Sequence, residues 1–220
     1  MEWTNHAELF RLMRERLSTA IVGDVLDLHG YRNQFLTPAC RPLRPHMIVC
    51  GRAMTVQETD VDELGGQPFG LMLRALDSLR ENEVYVAAGG SPAYALWGEL
   101  MSTAARARGA TGAVLAGFTR DTNGILAMDF PVFCYGCYAQ DQRGRGRVVD
   151  FRSTLQIDKV TIQPGDIVFG DIDGVVVLPK EVEVEVIHHA LEQVRKEKTA
   201  IFLLREGQSA ESVFSETGVL

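Results

Sequence analysis

No run of apolar residues in this sequence is long enough to cross a bilayer, and no run of lysine or arginine is typical of a phosphate-binding surface. The 220 residues have a formal net charge of −7, which also argues against nucleic acid as a partner. The N-terminal segment has charges throughout and lacks the apolar stretch of a signal peptide. We therefore expect a cytoplasmic protein that binds neither nucleic acid nor membranes.

Cysteine is scarce as well. Cys40, Cys50, Cys134 and Cys137 are too few for a disulfide framework in a chain of this length. Cys134 and Cys137 form a C-x-x-C motif, but no second ligand pair for zinc accompanies it and no helix start follows the first cysteine. The favoured interpretation is that they are small apolar side chains beside the end of a strand.

Helical and strand patterns alternate through the middle of the chain. "EVYVAA" and "GAVLAG" are typical of short buried strands, and the segment between them has a helical pattern from Trp97. This βαβ unit predicts parallel strands joined by a right-handed crossover. "FPVFCYG" predicts a third strand, and "KVTIQPGDIVFGDIDGVVVLP" two or three more. We expect a single α/β domain over residues 1–220.

Helix signals occur on both sides of this unit. The N-terminal segment predicts two helices, the second with Ser18 as N-cap and Gly30 after its end. "GQPFGLMLRALDSLREN" predicts an amphipathic helix over residues 66–82. A long charged helix is expected from Glu181 to about Arg205, followed by a short helical tail.

The loops after the two parallel strands should open into one crevice, where ligands of open α/β sheets bind. The first loop leads into a helix whose first turn contains Gly98, Glu99 and Leu100, and the second contains Arg120 and Asp121. Free N–H groups of that turn and the Arg120 guanidinium suit a carboxylate or a keto oxygen. Asp121 suits Mg²⁺ or Mn²⁺. These groups predict a site for a small 2-oxo acid, with Glu99 as an acid or base.

A second interpretation of the same residues requires no ligand. Arg120 and Asp121 are then a solvated pair in a loop, and Glu99 is a helix-start acid favoured by the helix dipole. Spacing alone does not separate the two interpretations.

The chain resembles the RraA-like family, which includes the 4-hydroxy-4-methyl-2-oxoglutarate and 4-carboxy-4-hydroxy-2-oxoadipate aldolases. The resemblance covers nearly the whole chain and lies in these runs: "STAIVGDVLD", "GRAMTV", "WGELMSTAARARGATGAVLAGFTRD", "FPVFCYG" and "PGDIVFGDIDGVVVLP". It implies a swivelling-domain-like β/β/α three-layer fold with a central mixed sheet and a long C-terminal helix. It also implies trimers or hexamers.

The resemblance further implies the site residues. A pyruvate-type ligand is expected at Gly98, Glu99, Leu100, Met101 and Arg120. Asp121 is the expected ligand of a divalent metal that is otherwise coordinated mostly by water. The leading acid is commonly Asp in the aldolases and is Glu99 here. Ala116 and Phe118 also depart from the family pattern, and these differences bear on the distal part of the substrate.

The implied reaction is that of a class II, metal-dependent aldolase acting on a 4-hydroxy-2-oxo acid, together with oxaloacetate decarboxylation. In both, a bond beside the pyruvoyl unit breaks and leaves a pyruvate enolate, whose charge a metal and Arg120 would stabilise. Glu99 is the expected proton-handling group. A Schiff-base route would need a buried lysine in the crevice, but the four lysines all lie in the C-terminal third: Lys159, Lys180, Lys196 and Lys198.

Three other functions compete with an aldolase. A protein that regulates ribonuclease E gives the family its name, so a binding protein without significant catalysis is the main alternative. A methyltransferase would need a Gly-rich nucleoside loop with a ribose-binding acid, and only "AAGGSPAY" weakly suggests such a loop. A phosphohistidine carrier would need a crevice histidine, whereas His6, His29, His46, His188 and His189 lie outside the crevice segments.

The predicted C-terminal helix also bears on assembly. It is too long and too apolar along one stripe to lie free, which agrees with a homotrimer or homohexamer. In such an assembly an acid of this helix, with Glu197 as the candidate, would approach a neighbour's metal site.

Overall fold

The computed structural model describes residues 3–62 and 68–220. Its helices are α1 (His6–Arg16), α2 (Thr19–Leu28), α3 (Met72–Asp77), α4 (Glu99–Ala107), α5 (Thr122–Met128), α6 (Glu183–Arg205) and α7 (Ala210–Thr217). Its strands are β1 (Arg41–Pro42), β2 (Val49–Asp60), β3 (Glu83–Ala88), β4 (Ala95–Trp97), β5 (Gly112–Leu115), β6 (Phe118–Thr119), β7 (Val132–Cys134), β8 (Gly146–Phe151), β9 (Leu155–Ile157), β10 (Val160–Ile162), β11 (Ile167–Asp171) and β12 (Gly174–Leu178).

The strands form one large mixed sheet in the order β1-β7-β5-β3-β2-β11-β12, with β8 added beside β2. β2 pairs in parallel with β3, whereas its other edge pairs antiparallel first with β11 and then with β8. The register against β8 shifts between Gln57 and Glu58. The two ends of the sheet approach each other, because Arg41 in β1 donates to the carbonyl oxygens of Ile172 and Asp173 at 3.0 and 2.6 Å. The sheet is therefore nearly closed.

Strand β3 contributes to two cores. Its Tyr85 and Ala87 pack on the side covered by α3, α4 and α5, whereas Val84 and Val86 point into the nearly closed sheet. Neighbouring side chains of a strand point to opposite faces, so a strand buried on both sides consists mostly of apolar residues. The buried run "EVYVAA" therefore has the environment predicted for it.

Helices α1, α2 and α6 form a third core against β11 and β12, and this core contains Phe10, Phe169 and Ile187. Ser18 caps α2 as predicted, accepting a hydrogen bond from the backbone N–H of Ile21. The long C-terminal helix is confirmed as α6. Helices around a nearly closed mixed sheet confirm the predicted α/β fold class.

The βαβ prediction is confirmed, since β3 and β5 are parallel neighbours with α4 between them. The helix begins at Glu99 rather than at Trp97, which lies in β4. The prediction of an amphipathic helix over residues 66–82 is wrong in extent, because α3 covers Met72–Asp77 alone. Residues 66 and 67 of that prediction lie outside the described residues. The chain leaves the helix at Ser78, whose carbonyl accepts from the Arg152 guanidinium at 2.5 Å.

The four cysteines are all free, so the absence of a disulfide framework is confirmed. Cys134 is buried beside the end of β7, as predicted. Cys137 is exposed and accepts a hydrogen bond from the Thr122 hydroxyl at 3.2 Å, so its description as an apolar filler is wrong. Within residues 3–62 and 68–220, no helix combines the length and the apolarity that a membrane span requires.

Candidate functional site

A small second sheet extends the carboxyl ends of the parallel strands. β4 follows β3, β6 follows β5, and the two pair in parallel through Ala95 with Phe118 and Trp97 with Thr119. The backbone N–H of Arg120 then donates to the Trp97 carbonyl at 3.0 Å. This pairing brings the start of α4 and the Arg-Asp sequence together, although they are separated by a whole helix and strand in the chain.

The start of α4 is fixed by a buried tryptophan. Trp97 packs against the rings of Tyr85 and Phe130, and its indole N–H donates to the Ser102 hydroxyl at 2.6 Å. That hydroxyl in turn donates to the Gly98 carbonyl at 3.1 Å. The first turn of the helix is therefore held rigidly at the carboxyl edge of the sheet.

Gly98 is the N-cap of α4 and lies under the Asp121 carboxylate. A β-carbon built on Gly98 would lie 2.9 Å from Asp121 Oδ2, closer than real β-carbons approach such an atom. Asp121 itself is the N-cap of α5 and has a φ of 53°, which is unusual for a residue other than glycine. The close approach explains why the chain has glycine at residue 98.

Glu99 makes the reciprocal contact. Its carboxyl group lies on Gly124 in α5, where a β-carbon would meet the carboxyl carbon at 2.0 Å. The two acids thus join the starts of α4 and α5, each lying against a glycine of the other segment. Glu99 is exposed, and its side chain is directed toward α5.

Arg120 lies between two carboxylates. Its Nη1 is 3.2 Å from Asp141 Oδ1, and its Nε is 3.6 Å from Asp121 Oδ2. All three side chains are partly exposed. Asp141 lies in the loop between β7 and β8, which the sequence patterns did not connect with the crevice. The cluster has one cation and two anions.

A cavity of about 300 Å³ opens at this cluster. Its polar lining comes from Arg120, Asp121, Asp141 and Gln142. The remaining lining is backbone of Gly98 and apolar side chains: Phe69, Met72, Leu73 and Leu76 from the α3 segment, and Ala95, Leu96, Trp97, Leu100, Met101 and Ala104 from the α4 segment. The volume is near the lower end for small-molecule sites.

A buried carboxyl group supports the polar wall. Glu58 on β2 is 1% exposed, and its Oε2 accepts from the side-chain amide of Gln142, which lines the cavity. Its Oε1 has no partner, and the nearby buried Tyr85 hydroxyl has none either. Burial raises the pKa of Glu58 to about 8, an effect that the Gln142 hydrogen bond only partly opposes. Neither Glu58 nor Gln142 was predicted from the sequence.

The structure brings together most of the residues that the sequence predicted as a site. Gly98, Leu100, Met101, Arg120 and Asp121 all line the cavity. Glu99 is outside that lining because its carboxyl lies against Gly124. Among the lining residues that the structure describes there is no histidine and no lysine, as the sequence predicted for this crevice.

The donor set restricts how a metal could bind. In the described part of the chain, no group of three or more His, Cys, Asp or Glu side chains is arranged to enclose an ion. Mg²⁺ often binds through one or two carboxylates, with water and substrate oxygens completing its shell. Asp121, partly exposed at the cavity, fits that water-rich mode.

A cavity beyond the carboxyl ends of parallel strands, with an arginine and carboxylates on one wall, is typical of α/β proteins that bind small anionic molecules. The chain belongs to the RraA-like family, described as "Aldolase/RraA", whose sequence profile matches residues 19–177. This family membership agrees with the resemblance seen in the sequence.

The names of similar proteins indicate different functions. A protein of Halalkalibacterium halodurans named "Putative 4-hydroxy-4-methyl-2-oxoglutarate aldolase" is 32% identical over 79% of this chain and 78% of its own length. Protein DlpA of Legionella pneumophila is 31% identical over 79% of this chain, which spans 28% of that longer protein. The structure of Streptomyces coelicolor RraAS2, described as an unusual member of the RNase ES inhibitor RraA protein family, superposes with a TM-score of 0.80 over 90% of this chain and 99% of its own. The two sequences are 24% identical, so this similarity supports the fold alone.

Proposed function

We propose that the protein is a divalent-metal-dependent lyase that cleaves a 4-hydroxy-2-oxo acid to release pyruvate and that also decarboxylates oxaloacetate. The observation that carries the proposal is the cavity in which Arg120 and Asp121 lie beside the first turn of α4. Relatives named as aldolases of this substrate class support it.

The substrate carboxylate would bind at the start of α4. The backbone N–H groups of Glu99, Leu100 and Met101 belong to the first turn, where such groups have no partner inside the helix. Together with the helix dipole they suit an anion. The Arg120 guanidinium would hold the keto oxygen and stabilise the negative charge that develops there as the enolate forms.

The charge of the cluster explains why a metal would be needed. One guanidinium and two carboxylates leave the cavity with a net negative charge, which opposes binding of an anionic substrate. Mg²⁺ or Mn²⁺ held by Asp121 would reverse that sign and, when bound, would supply a Lewis acid at the keto group.

Two carboxylates compete for the proton transfer that cleavage requires. We assign removal of the 4-hydroxyl proton to Asp141, because it lines the cavity and geometry is the first requirement for a general base. Glu99, the candidate predicted from the sequence, would then position Asp121 through its contact with α5. Decarboxylation has no hydroxyl to deprotonate and would need Arg120 more than either acid.

The experiment is a pyruvate-release assay on a panel of 4-hydroxy-2-oxo acids and oxaloacetate, with Mg²⁺ and with excess chelator. Release that disappears on chelation and returns with Mg²⁺ or Mn²⁺ supports the proposal. Release that persists in excess chelator contradicts the metal requirement. A protein that cleaves none of the panel but binds a ribonuclease, with or without Arg120, is a regulator instead.

A further inference from the structure

Asp141, the proposed base, has a partly exposed side chain. This side chain is 38% exposed, and at the site it contacts Arg120, whose side chain is exposed to a similar extent. Two partly exposed side chains keep much of their rotamer freedom, so the ion pair alone would hold the carboxylate loosely. A general base has to stay within hydrogen-bond distance of the proton it removes. The position of Asp141 therefore depends on how the backbone around it is anchored.

The backbone on both sides of Asp141 is tied to strands. The Gln142 carbonyl accepts hydrogen bonds from the N–H groups of Arg145 and Gly146 at 2.8 and 2.9 Å, and Gly146 begins β8. The Gln140 carbonyl accepts from the N–H group in β4 of residue 95 at 2.9 Å. The base therefore lies on a short span of backbone between two fixed points.

The Gln142 side chain adds a buried contact with the large sheet. Gln142 is 4% exposed, and its amide N–H donates to Oε2 of Glu58 on β2. Glu58 comes directly after the register shift against β8, and such irregularities re-aim a side chain. Glu58 is not among the described residues that line the cavity. It is therefore placed to hold the cavity wall rather than to touch a ligand.

The charge of Glu58 suits a holding role. Burial keeps this carboxyl group mostly protonated at neutral pH, because its pKa is about 8. A neutral carboxyl group can accept from Gln142 without the cost of a buried, unpaired charge. The titratable groups near it are Tyr85 on β3 and Tyr94 before β4, and burial keeps both of them neutral too. Glutamine at residue 58 would therefore reproduce both the charge and the acceptor.

We propose, building on the proposed function, that Glu58 is a positioning residue for the cleavage step, because through Gln142 it holds the Asp141 carboxylate at the cavity wall. Cleavage of a 4-hydroxy-2-oxo acid requires the base, whereas decarboxylation of oxaloacetate has no hydroxyl proton to remove. Loss of the anchor should therefore separate the two reactions. Because the base acts in the chemical step, kcat should change more than KM.

Removal of the buried acceptor tests this role. Glu58→Met keeps a side chain of similar length without an acceptor for Gln142, and it should lower kcat for cleavage by about tenfold or more. KM for cleavage and the rate of oxaloacetate decarboxylation should change less. Glu58→Gln should restore most of the lost rate, because its amide oxygen can accept from Gln142. Equal losses in the two reactions, equal losses in the two variants, or wild-type cleavage by Glu58→Met overturn the inference.

A double variant distinguishes positioning from general damage. The base is already absent in Asp141→Asn, so adding Glu58→Met should lower the remaining cleavage by less than about twofold. Losses that multiply would mean that Glu58 acts independently of Asp141, and they overturn the inference. Asp60→Asn is the matched control, because Asp60 lies on the same strand and accepts from Ser91 and Tyr94 instead. The control should keep wild-type cleavage.

Hydrogen exchange tests the anchor without any turnover. The N–H groups of Arg145 and Gly146 are bonded to the Gln142 carbonyl, so their exchange reports whether that residue stays in place. Both should exchange about tenfold faster in Glu58→Met, and at the wild-type rate in Glu58→Gln. Gln142→Met breaks the same contact from the other side and should behave as Glu58→Met does, which keeps the test available if the latter does not fold. Unchanged exchange in the methionine variants overturns the inference.

The two kinds of readout also separate this inference from the proposed function. If none of the 2-oxo acids is cleaved but exchange responds as expected, the proposed function fails and the placement of Asp141 by Glu58 stands. If cleavage is Mg²⁺-dependent but Glu58→Met and Gln142→Met leave both kcat and exchange unchanged, the proposed function stands and the inference fails.

Discussion

Near the site, burial in the folded protein clearly favours the protonated form of Glu58. Its folded pKa of about 8 lies well above the value near 4.3 expected in the unfolded chain. The folded state therefore binds the proton more tightly, and stability falls as pH rises from about 4.3 to about 8. The nearby Tyr85 and Tyr94 hydroxyls stay neutral over this range, because burial raises the pKa of both.

Replacing Glu58 with glutamine should remove this pH dependence. The amide stays neutral, and its oxygen can still accept from Gln142. Wild-type protein should lose on the order of 3 kcal/mol of unfolding free energy between pH 5 and pH 8, and Glu58→Gln should lose much less. Urea unfolding at several pH values measures this. Glu192→Gln, an exposed change on α6, should keep the wild-type decline. A Glu58→Gln decline equal to that of the wild type would mean that Glu58 is ionised in the folded protein.

Asp141 and Glu99 are distinguished by comparing two reactions. Asp141→Asn should lower cleavage of a 4-hydroxy-2-oxo acid by about a hundredfold, the usual scale for a lost general base. It should affect oxaloacetate decarboxylation less. Glu99→Gln should lower both reactions to a similar extent if Glu99 acts by positioning Asp121. Steady-state rates for both substrates decide the assignment. A loss confined to cleavage in Glu99→Gln would return the base role to Glu99, as the sequence predicted.

At the scale of elements, the site depends on how closely α4 approaches the start of α5. Gly98→Ala should push the Asp121 carboxylate away, because the added methyl group would lie 2.9 Å from its Oδ2. The backbone of residue 98 is extended, with a φ of −166°, so alanine can adopt it. We expect the Mg²⁺ concentration needed for half-maximal pyruvate release to rise about tenfold or more.

A second glycine variant provides the comparison. Gly124→Ala displaces the Glu99 carboxyl group, which is at the end of a flexible side chain, and leaves the Gly98 contact in place. Its Mg²⁺ requirement should change less. Equal shifts in the two variants would show that the glycines affect α4 packing in general rather than Asp121 in particular.

The sequence predicted the elements with strong periodicity and missed those defined by tertiary contacts. The buried runs of β3 and β5 and the caps of α2 are local signals, and all were confirmed. β4 and β6 have three and two residues, too few for a pattern, although their pairing is what brings Arg120 to Gly98. β8 and α5 were not predicted either, because the chain around them lacks a clear period.

The same distinction holds at the site. Arg120 and Asp121 follow a recognisable strand, so topology alone placed them at the carboxyl edge. Asp141 and Gln142 lie in an irregular loop, and Glu58 lies within a strand beside a register shift. Nothing local marks these three residues, because their relation to the cavity exists only in the folded chain.

At the scale of the whole molecule, the C-terminal region has the surface expected of an assembly. Phe202, Phe214 and Leu220 are 60%, 56% and 77% exposed near the junction of α6 and α7. Glu197 borders a groove in this region, and burial together with Asp24 raises its pKa. The homotrimer or homohexamer, the single domain over residues 1–220 and the approach of Glu197 to a neighbour's metal site stay predictions.

A charge in this surface should reveal its role. Phe202→Asp should shift the protein from a trimer or hexamer toward smaller species in light scattering at micromolar concentration, because apolar contact surface would have to bury a carboxylate. Val184→Asp is the control, since Val184 is 46% exposed near the start of the same helix. A wild-type monomer, or an unchanged assembly in Phe202→Asp, would contradict this prediction.

The central claim is that the cavity at Arg120 is a catalytic site rather than a remnant on a binding protein. Its most direct test is Mg²⁺-dependent pyruvate release by wild-type protein and by Arg120→Ala. Arg120 is a partly exposed loop residue, so the variant should keep its fold and its oligomeric state. Loss of the charge-assisted contact should cost about 3 kcal/mol of transition-state stabilisation. This corresponds to a decrease in kcat/KM of more than about a hundredfold. Wild-type release that Arg120→Ala matches, with Mg²⁺ saturating in both, would contradict the account.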